Sequence, residues 1–267
     1  INVAVQAMIM VDCAARDWHA HTHVMGSYRP TSWAVNESFL GFVERSFPPS
    51  LDMDEEAISD ALDESNALKA WKLKKRLGIE ITPTDNLAHH LLYDPRHNKL
   101  YVFHHVAFLK AHLELSADTL GVGCKIKESL KIGTLPPQLL IETLHSLQSI
   151  IFPSTDGRSR LLLEQLIRRK LFDSECAEYD GYRRFRGLPE DFTYKYWGDR
   201  IVKLNEVMAR RVPRNKFSRW LYWQTSDGNA LMIALLALLI TIVLGVLSLG
   251  VACFQTWIAW QAWRSPV

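Results

Sequence analysis

Six of the chain's ten histidines, His89, His90, His97, His104, His105 and His112, share one stretch with Asp85, Asp94 and Glu114. Neutral imidazoles and carboxylates are the ligand set of zinc, copper and non-haem iron, so metal chemistry is the first to consider here. His90, His97 and His104 are spaced by seven residues, as are His105 and His112, and one continuous helix would align them. Asp94-Pro95 interrupts any such helix. A site therefore needs packing to bring His90 and His105 together across the turn. It would also need a carboxylate and outer partners that orient the rings. The expectation is hydrogen-bonded structural histidines, with no metal and no cofactor.

A second string, Asp17-Trp18-His19-Ala20-His21-Thr22-His23, would place its three imidazoles on one face of a strand. The Asp-x-His-x-His order resembles the first metal motif of amidohydrolases and related phosphoesterases. That resemblance implies further His, Lys and Asp ligands along a barrel, and the chain has no alternating βα pattern to carry them. The string reads as a His-rich loop.

Nucleophilic and nucleotide chemistry find no foothold. The sequence holds no G-x-S-x-G, Walker A, G-x-G-x-x-G or H-E-x-x-H motif, and no catalytic residue is assigned. Gly121-Val122-Gly123 lacks a third glycine and reads as a turn. Arg183, Arg184 and Arg186 interleave with Tyr182 and Phe185, a pattern able to grip phosphates or RNA. Without a wider basic signature it is a surface loop, and no nucleic-acid partner is expected. A net charge of +2 adds nothing to a nucleic-acid reading. Cys13, Cys124, Cys176 and Cys253 are scattered, which argues against a zinc module and fits a reducing compartment.

The elements that would position these residues are mostly helical. Ile1 to Val11, apolar apart from Asn2 and Gln6, is too short to span a membrane and reads as a buried helix or strand, not a signal peptide. Asn36 can cap a helix ending at Pro48-Pro49. From Asp54 to Leu77, acidic residues load the first half and Lys69, Lys72, Lys74, Lys75 and Arg76 the last turns, with Gly78 as the stop. Both ends suit the helix dipole. A short helix is expected over 86–92, a turn at Asp94 to Asn98, and an extended piece or hairpin over Lys99 to Phe103. Helical periodicity returns over 104–115, 136–152, 160–172 and 199–212, while Asp173 to Leu188 reads as a loop or hinge. The fold class is mainly α: a helical cytosolic domain over 1–212 with a small β element.

Past the basic and aromatic segment 213–229, everything from Ala230 to Phe254 is uncharged and apolar or small. Those residues make about 38 Å of helix at about 1.5 Å each, enough to cross a bilayer once with tilt. Ala230, Ala234, Ala237, Thr241, Gly245, Ser248 and Ala252 fall on one stripe of that helix, a seam that lets a second helix approach. Trp220, Tyr222 and Trp223 before it, and Trp257, Trp260 and Trp263 after it, suit the two membrane interfaces. Arg210, Arg211, Arg214, Lys216 and Arg219 precede the span and Arg264 alone follows it. The bias puts the N-terminal domain in the cytosol, and a short tail over 255–267 makes a tail-anchored protein the expectation. The length slightly favours the plasma membrane.

The runs Thr84-Asp85-Asn86-Leu87-Ala88-His89-His90-Leu91 and Leu100-Tyr101-Val102-Phe103-His104-His105-Val106-Ala107-Phe108-Leu109-Lys110 resemble a recurrent pattern in membrane proteins of filamentous fungi. So do Tyr28-Arg29-Pro30 to Trp33, Phe42 to Pro48, and the Trp-rich end. This resemblance implies a eukaryotic, membrane-bound product and carries no residue roles. The terminal span is also similar to that of fungal CorA-like magnesium channels. Those have two membrane helices and a Gly-Met-Asn signature, whereas this sequence shows one helix and no such tripeptide. The function expected is an adaptor or scaffold whose partners are the lipid bilayer and either a second copy or another transmembrane helix. The alternatives are a membrane-bound metal enzyme using the histidine crowd, or a CorA-like transport subunit.

Overall fold

A computed structural model of the chain describes residues 2–13, 32–49, 55–117, 119–179, 192–210 and 230–264. The His19–His23 string, the Arg183–Arg186 loop and the aromatics Trp220, Tyr222 and Trp223 lie outside the described residues. The chain divides into two units, Ile1–Arg211 and Val212–Val267. Helix outweighs strand by 64% to 7%, which makes the fold mainly α with one small sheet.

The first unit opens with α1 (Asn2–Ile9), whose Val5 and Ile9 enter the core with Val11 after it. α2 (Phe39–Ser46) is capped by Ser38, which accepts a hydrogen bond from Gly41 N at 3.1 Å, and not by Asn36. The single helix expected up to Leu77 is interrupted. α3 (Glu55–Asp63) passes into a 3-10 segment, Lys69 is extended at ψ 134°, and α4 (Ala70–Lys72) continues as a π-helical turn. Leu68, Ala70 and Leu73 are all buried at this break, so packing overrides the charge pattern that favoured one rod. Gly78 ends it in the left-handed conformation, φ 69°.

Three strands follow: β1 (Glu80–Thr84), β2 (Leu92–Asp94) and β3 (Lys99–Phe103), in the order β1-β3-β2. β2 and β3 form the expected hairpin, closed by Asp94 Oδ1 accepting from Arg96 N at 2.8 Å and His97 N at 3.2 Å. β1 was not expected, and it contains Pro83. It sits at the sheet edge, where a missing N–H is tolerated. The helix expected over 86–92 shrinks to one 3-10 turn, Leu87–His89, with Leu92 already in β2.

α5 (Val106–Ala117) packs on α7 (Pro137–His145), with α6 (Ile126–Lys131) between them in sequence. α7 runs on as a π-helix to Ile151. α8 (Gly157–Arg168) is capped by Asp156, which accepts from Ser159 N at 2.9 Å, and packs against α4. α9 (Gly198–Arg210) lies on α3. Its start is anchored by Glu142 of α7, which accepts hydrogen bonds from the backbone N–H of Lys195, Tyr196 and Trp197 at 2.6, 2.8 and 2.9 Å. Burial pushes the Glu142 carboxyl up to about 7 against the pull of these donors. Arg200, in the first turn of α9, is buried over the Trp197 ring and donates to the carbonyls of Ala88 and His90, tying α9 to the segment between β1 and β2.

The second unit contains α10 (Ala230–Arg264), so the expected tail is helical as far as Arg264.

The α3–α9 contact is set by Gly198. A Cβ there would sit 2.7 Å from Ile58 Cδ1 and 3.3 Å from Tyr194 Cβ. Gly198→Ala should cost about 1–2 kcal/mol in denaturant unfolding through overpacking. In an Ile58→Val background, which removes the clashing methyl, that cost should fall by half or more. Strict additivity of the two substitutions would contradict this account.

Candidate functional site

Parallel pairing of β1 with β3 runs from Glu80 opposite Lys99 to Thr84 opposite Phe103. The residues next in sequence, Asp85 and His104, therefore leave the sheet side by side at the strands' carboxyl ends, where open sheets commonly place ligands. His104 and His105 link β3 to α5. Their carbonyls accept from Val106 N at 2.9 Å and Leu109 N at 3.4 Å, which fixes the turn that presents both rings. Asp173 arrives from the far end of α8, just before a 3-10 turn, Ser174–Ala177. Phe172 packs on the His104 ring and Phe103 edge-on against His105, each at 5.6 Å.

The two imidazoles stack with ring centroids 4.1 Å apart. On one edge of the pair, Asp85 Oδ1 lies 3.2 Å from His104 Nε2 and 2.7 Å from His105 Nε2. On the other edge, Asp173 Oδ1 lies 3.3 Å from His104 Nδ1, and its Oδ2 lies 3.0 Å from His105 Nδ1. All four ring nitrogens thus face carboxylate oxygens. Burial, and then the neighbouring His105, hold His104 below the ordinary imidazole value, against the pull of both carboxylates. The His105 hydrogen bond is the main cause holding Asp85 below the usual carboxylate range. Asp85 is 70% exposed and His104 only 12%, so the site opens to solvent on the Asp85 side. Asp85, His104 and His105 offer three ligand atoms within 4.8 Å of one another, and no other such group occurs among the described residues. Cys176 Sγ donates to the His104 carbonyl at 3.1 Å, and burial pushes its thiol up to about 12, so it is unreactive.

The expected partnership of His90 with His105 does not form. His90 is fully buried, accepts from Phe103 N at Nδ1 (3.2 Å), and lies 2.7 Å from Ser146 Oγ at Nε2. Accepting at Nδ1 fixes the Nε2–H tautomer, so Nε2 donates to Ser146. The ring is structural. His97 pairs with Asp94 at 2.5 Å inside the hairpin turn, which takes that carboxylate out of any shared site. His89 lies 3.4 Å from the Asn86 amide nitrogen, and His112 packs on Phe108 at 4.0 Å. Glu114 is exposed on α5. Sequence reasoning named Asp85 as an available ligand but missed Asp173, which stands 68 residues from His105 and looked like the start of a loop.

Of the seam residues, Thr241, Gly245, Ser248 and Ala252 lie on α10 and are exposed, while the side chains of Ala230, Ala234 and Ala237 lie outside the described residues. A Cβ added at Gly245 meets nothing within 4 Å. Within α10, Leu238–Gln261 is long and apolar enough to cross a membrane, with mean hydropathy 2.3 and none of its window buried. Trp257, Trp260 and Trp263 cluster at its end, and Arg264 stacks over Trp260 at 4.5 Å.

No protein-family model matches this chain, and no curated protein or solved structure is significantly similar to it.

The His90 arrangement has a pH signature. Burial, and then the positive charge of Arg200, hold its folded-state pKa at about 3, below the ordinary 6.5. Between those values the unfolded chain binds the proton more readily. Its stabilising effect is complete above pH 6.5 and is lost as pH falls, on the order of 1.4 kcal/mol per pH unit. Protonation of Glu142 acts in the opposite sense over this range, so relative to a His90→Gln variant the wild-type urea midpoint should drop between pH 7 and pH 5, while ring nitrogen NMR still reports neutral His90. An imidazolium signal from folded protein at pH 5 would contradict the assignment.

Proposed function

We propose that this chain is a single-pass membrane protein that holds its helical unit on the cytosolic side and associates through the small-residue face of its span. The observation that carries the reading is Leu238–Gln261. Its 24 residues make about 36 Å of helix, without a buried side chain in its central window. An apolar helix exposed on all sides is satisfied by lipid, since its backbone polar groups bond internally and its side chains need no water. Thr241 bonds back to the Leu238 carbonyl at 2.8 Å, so its hydroxyl adds no unpaired donor to that surface.

Orientation rests on charge. Five cations from Arg210 to Arg219 precede the helix and one, Arg264, closes it, which favours the N-terminal side in the cytosol. The tryptophans near Arg264 suit the opposite interface. Association rests on Thr241, Gly245, Ser248 and Ala252, whose spacing keeps one face low enough for close helix contact. These features suit an adaptor or scaffold held at a membrane.

Three measurements test the reading. The chain should stay in the pellet on alkaline carbonate extraction, and protease added to the cytosolic face should digest the 1–211 unit. Release into the supernatant, or protection of that unit, would overturn it. Gly245→Ile should reduce self-association in a membrane two-hybrid assay several-fold. A Cβ at this position meets nothing within 4 Å, so unchanged association would refute the seam.

A further inference from the structure

We infer that Asp85, His104 and His105 bind a divalent first-row transition ion, Zn2+ in the first instance, and that Asp173 orients the two imidazoles from behind. The four ring nitrogens outnumber the protons that two neutral rings can supply. Four ring nitrogens face four carboxylate contacts of 2.7 to 3.3 Å. Two neutral imidazoles supply only two N–H groups. With hydrogens alone, filling all four contacts requires two imidazolium rings with centroids only 4.1 Å apart and planes tilted by 39°, like charge against like. Otherwise one nitrogen lone pair (with a single imidazolium) or two (with both rings neutral) are left pointing at carboxylate oxygens.

A cation on the Asp85 edge resolves the count. It takes the lone pairs of His104 Nε2 and His105 Nε2 together with Asp85 Oδ1. Each ring then carries its single proton on Nδ1, which donates to Asp173. That is the usual outer partnership of a metal-bound histidine, in which a carboxylate fixes tautomer and ring direction. The dication and two carboxylates sum to zero charge.

Dimensions agree. Tetrahedral zinc, with bonds of about 2.0–2.1 Å, spaces its ligands about 3.3 Å apart. The His104–Asp85 separation already matches at 3.2 Å. His105–Asp85, at 2.7 Å, needs an opening of roughly half an ångström, and the exposed Asp85 carboxylate is free to make it. Two nitrogens and one oxygen leave a coordination position toward solvent for water, the arrangement of an open site rather than a closed structural one. Cys176 is not part of the ligand set, because its sulfur is turned to the His104 carbonyl.

The test uses the full chain in detergent or nanodiscs, purified without a histidine tag, titrated with Zn2+ and with Co2+ as a visible reporter. Wild type should bind one ion at this site, with the Co2+ absorption of a low-coordinate nitrogen and oxygen environment. Asp85→Asn and His105→Gln should each weaken binding tenfold or more with unchanged circular dichroism. Asp173→Asn should weaken it about 10–100-fold without removing a ligand. A His97→Gln variant, and one with His19, His21 and His23 all changed to Gln, should retain the site. No Zn2+ binding by wild type would overturn the proposal. So would binding that survives Asp85→Asn and His105→Gln, or that disappears only with the His19–His23 substitutions.

Discussion

The pairing of β1 beside β3 in the parallel sense is the constraint from which the site follows. An antiparallel partner would send Asp85 to the opposite end of the sheet from His104. With Thr84 level with Phe103, the two chains leave together, and a carboxylate meets two imidazoles without any long loop. The β2–β3 hairpin holds β3 from its other side, and Asp94 closes that hairpin through the backbone N–H groups of Arg96 and His97. Pro83 is compatible because β1 has a neighbour on one side only.

The helices secure this sheet through a few buried polar contacts rather than by apolar packing alone. Glu142 gathers three backbone N–H groups at the entry to α9, and Arg200 carries α9 onto the carbonyls of Ala88 and His90. Trp197 joins both, donating to Thr143 Oγ1 at 2.8 Å while packing on His90 and Phe47. Buried charges are costly unless bonded, and here each is bonded to backbone. Such contacts fix direction as well as distance. They hold the β1–β2 segment, which leads out of Asp85, in one place.

Much of this was legible from the chain. Helices flanked by Pro136-Pro137 and Pro153, the acidic-to-basic run up to Gly78, and the hairpin turn at Asp94-Pro95 all declare themselves through local chemistry. So does the apolar helix that follows Ala230. What was not legible is non-local. β1 hides behind a proline that only an edge position excuses, and the break at Lys69 comes from burying Leu68, Ala70 and Leu73 together. Seven-residue spacing drew attention to His90 and His105, yet it carries no weight once Pro95 separates them. The pair that meets, His104 and His105, is adjacent in sequence. Its carboxylates lie 19 and 68 residues away, at distances that no periodicity encodes.

The proposed two-histidine, one-carboxylate metal centre rests on this strand register. X-ray absorption at the zinc edge, on the full chain loaded with one equivalent of Zn2+, reads the ligand shell directly. The account predicts multiple-scattering features of two imidazoles, light-atom oxygen donors completing the shell, and no sulfur. A shell containing a cysteine sulfur, or one of oxygen donors without imidazole, would contradict it.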